Sequence, residues 1–300
     1  MKKQTIVFAL MLCGLLASCD QTDKPIIRFG LIADIQYCDC DENINRYYRN
    51  SLPKLEACVD DLNRREVDFT VNLGDLVDRD TYGNLEAVFE RFAKLNSNVY
   101  NTTGNHDYGG MTVNAALYDA LSMPSEYYSF TKKKWRFIML NTNEVATYAN
   151  IQNTPKQAEY EAMIQQIQES GRKNGASYNG GISRKQLVWL EDELKSATKK
   201  KENVLVFSHH PIFAPDAEGL TALNDQEIFK VLTAYPCVRA VISGHHHAGD
   251  FGSTKGIPFL TTEGMVETEN ENAYGVVDIY KDRIIVAGSG RTKSYVFLLK

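Results

Sequence analysis

The run Arg28 to Tyr37, RFGLIADIQY, is apolar until it breaks at a carboxylate, Asp34, followed one residue later by a side-chain amide, Gln36. A short apolar run with a polar stop has the pattern of a buried strand. Side chains of an extended chain alternate between faces, so Asp34 and Gln36 are expected to face one spot where the strand ends. An Asp placed there also fits a turn, because it bonds its own neighbouring backbone. The other strand ends separate the two readings.

Further β-rich runs are read at 69–73, 98–102, 135–141, 203–208 and 238–243, beside the first at 26–33. Helical patterns occupy 51–65, 84–95 and 183–197; in the last, Ser183 is a natural N-cap and Leu187, Leu190 and Leu194 line one face. Strands alternating with helices give an α/β class, and the segment from 257 to the end reads as successive strands. No repeat or low-complexity linker divides 26–300, which is taken as one domain.

Five of the strands end in the same kind of event. LIADIQ supplies Asp34 and Gln36, NLGD supplies Asp75, TTGNHD supplies Asn105 and His106, FSHHP supplies His209, and ISGHHH supplies His245 and His247. Ligands of open α/β sheets bind beyond the carboxyl ends of strands, so these side chains converge if the strands share a sheet. Two carboxylates, two amides and three imidazoles suit Mn²⁺, Fe²⁺ or Zn²⁺ and need no thiolate. Seven side chains are too many for one tetrahedral site and suit two divalent metal ions, which a carboxylate can bridge at roughly 3.5–4 Å. Two aspartates offset only part of that charge, so the pocket would bind phosphate oxygens and ionise a water near neutral pH. His210 and His246 alternate with the proposed ligands and are expected to point away.

The net charge is −5 with no basic stripe, which argues against a nucleic-acid surface. The lysine runs at 132–134 and 199–201 read as solvated hairpin and helix ends. Lys2 and Lys3 precede an apolar run at 6–16 that closes on LASC. That is the layout of an export signal, and its end resembles the lipobox of bacterial lipoproteins. The expectation is a signal peptide at 1–18, a lipidated Cys19 followed by a short tether at 19–25, and a membrane-anchored protein facing the periplasm or the cell surface. Cys38, Cys40, Cys58 and Cys237 then remain; sequence does not assign their pairing, and Cys38 and Cys40 look too close for a framework bridge.

Taken in order, Asp34-x-Gln36, GDLVDR, GNHD, HHP and GHHH resemble the calcineurin-like metallophosphoesterase superfamily. The resemblance implies a four-layer αββα sandwich of two mixed sheets flanked by helices. It implies that Asp34, Gln36 and His247 hold one metal, that Asn105, His209 and His245 hold the other, and that Asp75 bridges them. His106 would contact the scissile phosphate and protonate the leaving oxygen; Asp107 would orient its imidazole, while Asp78 and Arg79 brace the GD loop. The Gln form, with RYYRNSL, GGISRKQLVWL, TTEGMVET and GVVDIYKDRIIVAGSGR, is similar to the manganese-dependent ADP-ribose/CDP-alcohol diphosphatases. This implies hydrolysis of the diphosphate linkage of a nucleotide-linked small molecule. An amide oxygen in place of an imidazole also makes one metal position harder, which favours Mn²⁺ over Zn²⁺. An exported location departs from cytosolic ADP-ribose. Tyr47, Tyr48, Tyr127 and Tyr128 are open to base stacking or to packing. Two other readings stand beside the first: a broader phosphodiesterase or phosphomonoesterase acting, for example, on cyclic nucleotides, and a non-catalytic surface lipoprotein that binds metal or a partner.

Overall fold

The computed structural model describes residues 24–299; the signal segment at 1–18 and the lipidation site at Cys19 lie outside the described residues. Two six-stranded mixed sheets face each other. In the first, β1 (Ile27–Ile32), β2 (Phe69–Asn72) and β3 (Val99–Asn101) run parallel. Beyond β1 the sheet continues antiparallel through β10 (Ala273–Ile279), β11 (Arg283–Gly290) and β12 (Tyr295–Leu298). In the second, β5 (Trp135–Met139), β6 (Asn203–Ser208), β7 (Val238–Ser243) and β9 (Ile257–Thr261) are parallel, with β4 (Tyr128–Lys132) and β8 (Asp250–Thr254) antiparallel at its edges.

Apolar strands build the layer between the sheets. Phe29 of β1 stacks on Phe69 of β2 at 5.1 Å and meets Phe137 of β5 and Phe207 of β6 edge-on at 6.0 and 5.9 Å. Such edge-to-face pairs add attraction beyond the area they bury. The opposite face of the second sheet, through Ile138, Val204 and Val206, packs on Leu187, Leu190 and Leu194 of α5 (Arg184–Lys200) and Ile228 and Leu232 of α6 (Asp225–Thr233). The first sheet shares a cluster with Leu55, Val59 and Leu62 of α1 (Ser51–Arg64) and Leu85 and Val88 of α2 (Thr81–Phe92). The order helix, sheet, sheet, helix is the expected sandwich. Ser183 caps α5, its hydroxyl accepting from the Gln186 N–H at 3.1 Å.

The structure adds five strands and α-helices that the sequence patterns leave unmarked: β4, β8, α3 (Asn114–Ala120), α4 (Pro155–Ser170) and α6. Of these α4 buries only Ile167 and so carries no clear apolar stripe. It also changes one premise. The five strand ends do not share a sheet: β1, β2 and β3 belong to one, β6 and β7 to the other. Convergence comes from parallel strands of both sheets ending along the same rim.

Candidate metal centre

The alternation argument for Asp34 and Gln36 gives the right neighbours for the wrong reason. Both lie past the end of β1, and both have left-handed backbone, φ 53° and 43°, as do Asp75 at 55° and His245 at 70°. Each such non-glycine residue costs on the order of 1–3 kcal/mol and persists only where its surroundings hold it. Here Asp34 N–H donates to Gly74 O at 3.1 Å, Gln36 N–H to Asp75 O at 2.8 Å and Tyr37 N–H to Leu76 O at 3.0 Å. The loops beyond β1 and β2 are thus laced together and aim their side chains into one place.

Asp34, Asp75 and His209 each bring a ligand atom within 4.8 Å of one another, and all three are fully or almost fully buried. Asp75 Oδ2 is central: Gln36 Nε2 lies 2.9 Å from it and His209 Nε2 3.5 Å. On one side, His247 Nε2 lies 3.4 Å from Asp34 Oδ1 and 3.3 Å from Gln36 Nε2. On the other, His209 Nε2 lies 3.0 Å from Asn105 Oδ1 and 3.2 Å from His245 Nδ1. All seven expected side chains therefore meet.

The outward nitrogens show what the inward ones can do. His209 Nδ1 is 2.9 Å from Leu73 O, a carbonyl that can only accept, so Nδ1 carries the proton and Nε2 is bare. His245 Nε2 donates to Asn179 Oδ1 at 3.1 Å; that amide is fixed because its Nδ2 donates to Asn174 O and Gly219 O, both at 2.8 Å. His247 Nδ1 donates to Glu267 at 2.9 Å. Two bare nitrogens, His209 Nε2 and His245 Nδ1, thus face each other beside two buried carboxylates. Gln36 Oε1 is buried without a partner, and a half-turn of the amide presents it to the same space. Repelling lone pairs, buried carboxylates and an orphaned oxygen are the groups that cations bring into register, so the donor set fits two divalent ions.

Charge follows this layout. Burial opposes ionisation of Asp34, but His247 holds its carboxyl below the usual range. Burial likewise opposes the His247 cation, and Asp34 and Glu267 still raise it to about 9. Burial among His210, His209 and His247 keeps His245 neutral, well below its ordinary value. His106 lines the cavity with its Nδ1 3.1 Å from both the backbone and the side-chain oxygen of Asp78. Burial would lower it, but the Asp75 charge and Asp78 raise it to about 9.

Asp107 does not orient that imidazole. It is fully buried and accepts backbone N–H bonds from Asp75, Leu76, Val77 and Gly104 at 2.8–3.2 Å, clamping the GD loop to the GNHD loop. Asp78 takes the orienting place, since its oxygens are the ones within hydrogen-bond distance of His106 Nδ1. Arg79 pairs with Asp78 at 2.9 Å. His210, expected to point away, has a ring nitrogen within 4.8 Å of ligand atoms of His209 and His245; its two nitrogens are spent on Thr142 Oγ1 and Tyr178 O at 3.0 and 3.1 Å. His246, by contrast, lines the cavity, since the left-handed His245 breaks the alternation that would have turned it away. Cys38 and Cys40 are disulfide-bonded, their Cα atoms 5.2 Å apart, within bridging range despite the single intervening residue. Cys58 and Cys237 are buried and free.

A cavity of about 790 Å³ opens over the centre. The strand-end patterns do not single out Tyr178, Arg46, Arg291 or Glu267, which also line it, although the last three fall in stretches that carry the family resemblance. None of the four tyrosines considered for stacking lines it. Tyr48 packs on Cys38 and Val266, Tyr127 on Trp189, and the Tyr128 hydroxyl donates to Asn101 O.

Residues 27–249 match the calcineurin-like phosphoesterase family model. A manganese-dependent ADP-ribose/CDP-alcohol diphosphatase of Xenopus tropicalis is 30% identical, over 89% of this chain and 93% of its own. The Homo sapiens protein of the same name is 28% identical over 93% and 94%. A dimetal phosphatase from Danio rerio superposes with a TM-score of 0.84 at 26% identity, covering 92% of this chain and all of the other.

Proposed function

Because this chain belongs to the calcineurin-like phosphoesterase family and is a metal-dependent phosphohydrolase with two divalent ions, we propose that it cleaves the diphosphate bond of nucleotide-linked small molecules such as ADP-ribose or CDP-alcohols, with manganese as its metal. In this reading Asp34, Gln36 and His247 hold one ion, Asn105, His209 and His245 the other, and Asp75 both. The central place of Asp75 Oδ2, between Gln36 and His209, supports that division. Such ions supply charge that polarises phosphoryl oxygens and lowers the pKa of a water nucleophile.

The chain's own groups do the rest. Water oxygen bonds to one phosphorus, the bridging P–O bond breaks, and the leaving phosphate oxygen takes a proton from His106. With Nδ1 committed to Asp78, the Nε2–H of His106 is the donor left for the cavity. Gln36 carries the narrower assignment, because a neutral hard oxygen at that position favours Mn²⁺. The cavity also has the volume of a site for a nucleotide-sized ligand. The test is a Mn²⁺-loaded panel of ADP-ribose, CDP-choline, cyclic AMP and p-nitrophenyl phosphate. The two diphosphates should be turned over most efficiently; a higher kcat/KM for either single-phosphorus compound overturns the substrate class.

The same reading places the enzyme outside the cytoplasm on a lipid at Cys19, supported by the sequence LASC after an apolar run. Detergent-phase partitioning that Cys19→Ser abolishes is the expected result. Equal partitioning of wild type and variant removes the anchor from the proposal.

A further inference from the structure

The lysine runs at 132–134 and 199–201 lie far apart in sequence, and the chemistry proposed above uses neither. The fold gathers both at the end of the sandwich opposite the metal centre, around the point where the chain enters β1. Resting on the lipid-anchor reading of Cys19, we propose that this end is a membrane-facing surface, which docks on anionic phospholipid headgroups and turns the cavity away from the bilayer.

Strand direction fixes which residues share that end. The candidate ligands follow the carboxyl ends of parallel strands in both sheets, so the opposite end holds the residues where those strands begin. The β4–β5 turn lies there, because Lys132 pairs with Trp135 at the start of β5, and Trp135 with Asn203 at the start of β6. Helix α5 descends to the same place. It ends at Lys200, Lys201 follows, and the Asn203 N–H donates to Lys134 O at 2.9 Å. Contacts between the two sheets close the cluster. Lys133 Nζ donates to Ile26 O, and Lys132 Nζ lies 2.9 Å from Asp68 Oδ1, just before β2. Lys24 is exposed on the segment that leads into Ile26.

Most of this charge is unspent. Lys24, Lys134, Lys199, Lys200 and Lys201 are exposed, and none has an ion-pair partner among the described residues. The acids nearby are largely committed: Asp68 to Lys132 and the Arg28 N–H, Glu202 to Arg136 at 2.7 Å, and Asp282 to Arg283 at 2.8 Å. Glu66, after α1, is the exposed acid left over. Helix C-termini favour lysine for their own dipole, which accounts for Lys199 and Lys200 but not for the hairpin or Lys24. The loops at the cavity end carry the opposite sign, with Glu42, Asp80, Glu269 and Glu271 exposed. A chain of net charge −5 is thus basic at one end, and an anionic surface attracts that end and repels the other. Reach agrees with this orientation. The chain from Cys19 to Ile26 spans at most about 25 Å however it is arranged, so a lipid on Cys19 would hold the lysines close to the headgroups.

The test uses the mature chain from residue 19 with Cys19→Ser, so that no acyl chain contributes. Its partners are vesicles of phosphatidylcholine, alone or in equal parts with phosphatidylglycerol. Sedimentation should recover the protein with the anionic vesicles and not with the neutral ones, and less of it as salt rises. Lys134→Gln combined with Lys199→Gln and Lys200→Gln removes charge but no hydrogen bond of the fold. It should weaken that binding by ~10- to 100-fold with phosphohydrolase turnover unchanged. Arginine at the same positions should retain binding, as should Lys185→Gln at the other end of α5. Equal binding to both kinds of vesicle, or binding that the triple variant keeps, overturns the docking face. Hydrogen exchange on the acylated chain in anionic vesicles reads the orientation: amides at 132–134 and 199–201 should slow, and those at 42–46 should not. Slowing at 42–46 alone overturns it. If Cys19 carries no lipid, the anchor reading falls by itself, and the vesicle comparison still decides whether the lysines bind phospholipid.

Discussion

In the proposed mechanism, His106 and Asp78 join two neighbouring loops to make the acid. The imidazole belongs to GNHD and the carboxylate to GDLVD, and the 3.1 Å contact between them exists only once β2 and β3 lie side by side. General acid catalysis of this kind contributes ~10²–10⁴-fold, so His106→Ala should lower kcat by that order while the protein retains its metals. Metal analysis and turnover on the same preparation check it. Asp78→Asn makes a finer test. It removes an anion that raises the His106 pKa, so the imidazole loses its proton at lower pH. Because activity through an acid declines as pH rises past its pKa, the alkaline limb of the kcat/KM profile should move to lower pH. An unmoved limb would assign the acid to another group.

Elements set the precision of the site through their ends. β1, β2 and the loops after them are kept in register by backbone bonds between residues 34–37 and 74–76, and the Asp107 carboxylate closes the third loop onto the second by accepting three backbone N–H bonds from it. Gly104 is needed at that junction: a Cβ there would stand 2.0 Å from Asp75 Oδ1. Gly104→Ala should therefore displace the central carboxylate and reduce metal content and turnover together, with helical content unchanged by circular dichroism. Far from the site, Ser183→Ala removes the α5 cap and should cost ~1 kcal/mol in denaturant midpoints without changing KM.

At the scale of the molecule, the two sheets meet through an aromatic layer, and their rims hold groups that are costly to bury unpaired. Asp34 and Asp75 are both buried, and neither has a lysine or arginine partner among the described residues. Cations that bind the native state alone stabilise it by mass action, about 2.7 kcal/mol when free metal is 100 times its dissociation constant. Thermal melting should therefore shift upward with Mn²⁺ and downward after chelation. A melting temperature indifferent to both would argue that the centre does not hold metal in the folded protein.

The sequence by itself determined the class of the fold and the candidates for the ligand set. Apolar runs that stop at Asp34, Asp75, Asn105, His209 and His245 are local patterns, and side-chain chemistry fixes what such residues can bind. It could not determine how they meet. Left-handed backbone at Asp34, Gln36, Asp75 and His245 is imposed by hydrogen bonds between loops distant in sequence, and two sheets rather than one bring the strand ends together. The partner of His106, expected to be Asp107, was likewise decided by the fold. Asp107 is nearer along the chain, but folding turns it onto backbone amides and puts Asp78 against Nδ1 of the ring. Arg46 and Arg291 lie in the stretches RYYRNSL and GVVDIYKDRIIVAGSGR that carry the resemblance, but only packing against His247, Gly264 and Val266 places them over the centre. Side-chain type is written residue by residue, whereas direction is a property of contacts between segments, and those form only in the folded chain.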